Sequence, residues 1–266
     1  MLFLCTVSSY LQPFQCLYSY YSAGAGSASN NRCNEYSFAA RRDLFSDATN
    51  FLIVPGDNDW NECCTYDITS NTDSLREVWR DFFARDQSFY QFSTDFPATA
   101  GFPGGSKPTI ERKEPDNPEI YYFEHNQIAV FGLNRVTGRS YISDEAPTDF
   151  NADWVKEKLA LDTNCELESI VLIAQALLKQ VVYDKVNEYF GRCGQTLPTL
   201  TITGDTHPAT YCMSKSNERV DLTIEASSSG PILVTVVRDP LGGSGDFFYA
   251  SDSQLVDSNS QCPVFQ

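Results

Sequence analysis

Two short blocks carry the residue types most able to do chemistry. Gly56-Asp57-Asn58-Asp59-Trp60 follows the apolar run Phe51-Leu52-Ile53-Val54-Pro55, and Gly204-Asp205-Thr206-His207 follows Leu200-Thr201-Ile202-Thr203. Each places carboxylates, with an amide or an imidazole, just past a strand-like segment. Open α/β sheets build their sites at the C-terminal mouths of strands. Asp57, Asn58 and Asp59 offer oxygen ligands to a metal, and Asp205 and His207, two residues apart, can turn to one ion. Each block also has a plainer reading. The first makes an ordinary Asx turn, and the second an Asp–His hydrogen bond within a turn. An EF-hand is excluded, because Glu62 stands at the required glycine and Ile68 at the closing glutamate.

The elements that position these blocks are read from periodicity. Phe51–Val54 is a buried strand ended by Pro55, which has no N–H to give. A short helix is expected over 35–45. Ser74 and Glu77 form a capping box, and Leu75, Val78, Trp79, Phe82 and Phe83 recur at helical spacing, so a helix runs to about Arg85. The Pro- and Gly-rich stretch 94–118 reads as a long loop. Glu119–Glu124 and Gln127–Leu133 form a hairpin, with His125-Asn126 as its exposed turn. Asp149 caps a helix through Trp154, Val155, Leu159 and Leu161. Ile170–Ala174 is a buried strand that ends at Gln175. Val181–Phe190 is helical and stopped by Gly191 and Gly194. Strands follow at 200–203, 211–213, 219–225 and 232–237. Were the strands before Asp57, Gln175 and Asp205 to share one sheet and direction, those residues and His207 would converge at one edge.

The chain has 266 residues, of which 42% are hydrophobic. That is enough for one large domain, and no linker divides it. We assign 1–30 as a strand or irregular N-terminal segment, 31–250 as the main domain and 251–266 as a tail. Thirty-five acidic against nineteen basic residues give a net charge of −16, which argues against nucleic acid or an anionic membrane as partner. It leaves room for a small phosphorylated substrate, because a bound divalent metal reverses the local field. The apolar start, Met1–Val7, is too short to span a bilayer and makes a poor signal peptide. Nine cysteines lack the paired spacing of a zinc ribbon. An extracellular or luminal site with some disulfides is slightly favoured over the cytoplasm, and Cys33 with Cys63 or Cys64 is the pairing expected from proximity along the chain.

Taken together, the two blocks and the order of elements between them resemble the calcineurin-like metallophosphoesterase family, in its branch with G-D-N-[DE]-W and G-D-T-H blocks. The resemblance covers about residues 30–240. It implies an α/β fold, a four-layer sandwich of two mixed sheets flanked by helices, and a hydrolase of phosphate esters. It implies divalent metals (Mn, Mg, Fe or Zn), two in a complete member. By position, Asp57, Gln175, Asp205 and His207 stand at metal-ligand sites, and Asn58 and Asp59 fall in the catalytic block. Asn58 replaces a histidine, so it cannot titrate as an acid there. The amide at 175 and the carboxylate at 205 shift the preference toward Mg or Mn over Zn. The family's opening D-x-H and G-D blocks, the second of which supplies a metal-bridging aspartate, have no counterpart, and no Asp or His precedes Cys33. The chain is therefore expected to be N-terminally incomplete as a phosphoesterase. The alternative is a catalytically silent relative that keeps the fold for binding or structure.

Overall fold

The computed structural model describes residues 2–7, 14–19, 38–39, 42–43, 51–56, 77–85, 90, 92, 108–113, 115, 117–125, 127–135, 149–195, 197, 199–203, 210–214, 219–223, 232–236, 248–251 and 256–257. The architecture is α/β, with an eight-stranded mixed sheet and a five-stranded sheet.

The larger sheet grows from continuous apolar runs. β6 (Ile128–Gly132), β7 (Ser169–Ile173) and β8 (Thr199–Thr203) are buried at every position. Burial on both faces removes any need for polar alternation, the usual signature of parallel strands at the centre of a sheet. β6, β7, β8 and β10 (Arg219–Thr223) are mutually parallel, and β9 (Thr210–Ser214) and β13 (Val256–Asp257) extend one flank. On the other flank β5 (Asn117–His125) pairs antiparallel with β6, and β4 (Glu111–Lys113) closes the edge. β4 falls inside the stretch expected as loop. Its Glu-Arg-Lys sequence has no apolar signal, and charge together with the register shift at Arg112/Lys113 is how a sheet edge is kept from pairing further.

The two crossovers between β6, β7 and β8 are helices. α1 (Phe150–Leu161) starts where its cap is expected: the Asp149 carboxylate accepts from the Asn151 and Ala152 amides at 3.0 and 3.3 Å. α2 (Gln180–Cys193) runs through Gly191 and ends at Gly194, whose φ of 66° suits a residue without Cβ. Its Val182, Tyr183, Val186 and Tyr189 make one buried stripe, which packs with Trp154, Val155 and Leu159 of α1 on Ile120, Tyr122, Phe131, Ile170 and Leu172. Each such side chain contributes about 1.5–3 kcal/mol on burial. Arg192 donates to the carbonyls of Leu159 and Asp162, which closes the end of α1. A disulfide joins Cys165 to Cys193, with Cα atoms 5.5 Å apart. The expected partners Cys33, Cys63 and Cys64 lie outside the described residues.

The opposite face of the sheet, with Glu119, Tyr121, Phe123, Val130 and Ile173, is also buried. Tyr90, Phe92 and the helical segment 77–84 meet it there. Phe92 packs on Phe123 at 5.0 Å and Arg112 donates to the Ala84 carbonyl. That segment ends in a π-helical turn, Arg80–Ala84, in place of a regular helix, and Ser74 and Leu75 of its expected cap lie outside the described residues.

The five-stranded sheet has the order β12 (Phe248–Ser251), β11 (Ile232–Val236), β2 (Phe14–Ser19), β1 (Leu2–Val7), β3 (Phe51–Ile53), antiparallel at every pairing. The first thirty residues thus supply two strands beside β3. The expected turn at 242–245 lies outside the described residues.

The hairpin forms with its turn one residue later than expected. His125 pairs with Ile128, and Gln127, at φ 62°, makes the turn. His125 is therefore a buried strand residue, 2% exposed, and not an exposed turn residue. It continues the face of Tyr121 and Phe123, while Glu124 points to solvent.

Candidate active site

Four parallel strands leave their C-terminal ends on one edge of the larger sheet. β7 runs out into Ala174, Gln175 and Ala176, all buried, with Gln175 at 1% exposure. β8, its neighbour, ends at Thr203, immediately before the Gly204–His207 block. The Ala174 amide donates to the Ile202 carbonyl at 3.0 Å, so the two strands stay together to that point. Gln175 and the chain that enters the second block therefore emerge side by side. Asp57, Asn58, Asp59, Asp205 and His207 themselves lie outside the described residues.

The strand before the first block does not share that sheet. β3 belongs to the five-stranded sheet, so the single-sheet convergence is corrected. Pairing between strands distant in sequence leaves no local trace. A different link brings β3 to the same level. The Tyr90 hydroxyl donates to the Ile53 carbonyl at 3.1 Å, and the Tyr90 ring lies 5.5 Å from that of Tyr121. Tyr121 stands opposite Gly132 in the β5–β6 ladder, and Gly132 opposite Ile173 in the β6–β7 ladder. The end of β3 is thus tied, through one tyrosine, to the C-terminal level of the parallel strands. Burial raises the Tyr90 hydroxyl's pKa far above its ordinary value, reinforced by the charge of Glu119 and opposed by Arg112, so it stays a donor. Val54, Pro55 and Gly56 continue from β3 as buried backbone toward the first block.

Beside Gln175 stands a residue that the sequence reading passed over. Asn134 follows β6 as Gln175 follows β7, and it is 8% exposed. The two segments are stitched by Leu133 N–H to the Ile173 carbonyl at 2.8 Å and Ala176 N–H to the Arg135 carbonyl at 2.9 Å. Asn134 belongs to a buried polar chain. Its carboxamide N–H donates to Glu119 at 2.6 Å, and Glu119 accepts from Arg80 through Nε at 3.1 Å and Nη2 at 2.9 Å. The Asn151 side chain clasps the Asn134 backbone, accepting from its N–H at 3.0 Å and donating to its carbonyl at 2.9 Å. Arg80 also donates to Glu77 at 2.6 Å. The signal that could have found Asn134 is the rule that found Gln175: a polar residue directly after a buried parallel strand.

His125 is separated from this edge by the length of the strands. It pairs with the first residue of β6, which itself stands opposite Ser169, the first residue of β7. Burial lowers the imidazole pKa to about 4, so it is neutral at ordinary pH.

Among the described residues, no three His, Cys, Asp or Glu side chains are grouped to hold a metal. The described part of the edge offers the amide side chains of Asn134 and Gln175, a donor chemistry that suits hard cations such as Mg or Mn. No helix among the described residues is long and apolar enough to cross a membrane. Searches of family models, curated proteins and solved structures return no match.

Proposed function

We propose that this chain is a metal-dependent hydrolase of phosphate esters of the calcineurin-like type, with its two sheets stacked as the inner layers of a four-layer sandwich. The observation that carries the reading is the strand-end edge. Gln175 leaves β7 beside the point where β8 enters Gly204–His207, and Tyr90 ties the end of β3, six residues from Asp59, to the same level.

On this reading Asp57, Gln175, Asp205 and His207 hold divalent metal, Mn, Mg, Fe or Zn, which when bound supplies Lewis-acid stabilisation of charge at phosphorus. Asn58 donates a neutral hydrogen bond to a phosphoryl oxygen and has no proton to transfer. Asp59 supplies the carboxylate that orients the attacking water. The substrate is small and phosphorylated, and the net charge of −16 argues against nucleic acid or an anionic membrane as partner. The Cys165–Cys193 bond fits an oxidising compartment.

One observation favours a silent relative: no Asp or His precedes Cys33, so β1, β2 and the segment after them bring no bridging carboxylate. One assay separates the readings. Hydrolysis of an aryl phosphate or phosphodiester with Mn or Mg, abolished in His207→Ala, supports the enzyme. Equal activity in that variant refutes the site, and tight Mn binding without turnover supports the silent relative.

A further inference from the structure

We draw no further inference here: the strongest candidate, the buried side-chain cluster of His125 and Ser169 on one face of the larger sheet, at the strand end opposite the candidate site, rests on burial and a lowered imidazole pKa alone, and nothing among the described residues shows what would meet it.

Discussion

The pairing of Arg80 with Glu119 makes a quantitative prediction about the folded state. Glu119 is fully buried and the Arg80 side chain is 16% exposed, so the pair has little water to fall back on. Replacing Arg80 by Met leaves the Glu119 carboxylate buried with only the neutral Asn134 amide among the described residues to meet it, a loss of about 3–5 kcal/mol. Replacing Glu119 by Leu is milder, about 2 kcal/mol, because Arg80 keeps Glu77 at 2.6 Å on its outer side. The double variant removes both charges and fills the space with apolar groups. It should stand within about 1–2 kcal/mol of wild type, the residual cost being the Asn134 donor left without Glu119. The coupling between the two positions is therefore at least about 3 kcal/mol. Urea unfolding of the four proteins, followed by circular dichroism with the disulfide intact, measures it. With a slope near 3 kcal/mol per molar, Arg80→Met lowers the midpoint by roughly 1.3 M. A double variant as unstable as the two single losses added together would refute the argument that each charge is there to neutralise the other.

Three further outcomes follow from single contacts. A Cβ added at Gly132 would fall 2.0 Å from the Tyr121 ring, so Gly132→Ala should cost about 2–3 kcal/mol, and Tyr121→Leu in the same chain should recover part of it in the same unfolding assay. Breaking the Cys165–Cys193 bond by double substitution with Ser releases a loop of sequence separation 28 and should lower stability by about 2–4 kcal/mol, with reduction of wild type giving the same loss. At His125, burial holds the folded imidazole at about 4, below the unfolded value near 6.5. Between those values the unfolded chain binds a proton that the folded one does not. Stability therefore falls as the pH drops from about 6.5 to about 4, by no more than about 3 kcal/mol, and His125→Phe should flatten that limb of a stability–pH profile.

What the sequence makes legible here is what neighbouring residues decide among themselves. The unbroken apolar runs of β6, β7 and β8, the Asp149 cap and the Gly194 stop are local, and each appears within a residue or two of its expected place. β4 was not legible, because an edge strand of Glu-Arg-Lys is selected against sticking and not for burial. His125 was misread although its signal was present: it follows Glu119, Tyr121 and Phe123 at period two, and that period carries it inward. The membership of β3 in the smaller sheet, and the bonds from Glu119 to Arg80 and Asn134, span 39 and 15 positions in sequence and have no local signature.

The candidate site shows the same division more sharply. Gln175 was found because an amide directly after a run of apolar residues is conspicuous. Asn134 obeys the same rule at the end of β6, yet it was absorbed into the reading of a hairpin, where a polar residue past the strand draws no notice. The two differ in what comes before them along the chain and not in where they stand. β6 and β7 are parallel, so both residues sit where the backbone ladder stops and its polar groups must find other partners. Asn151 and Glu119 fill that need for the Asn134 backbone and for its NH2.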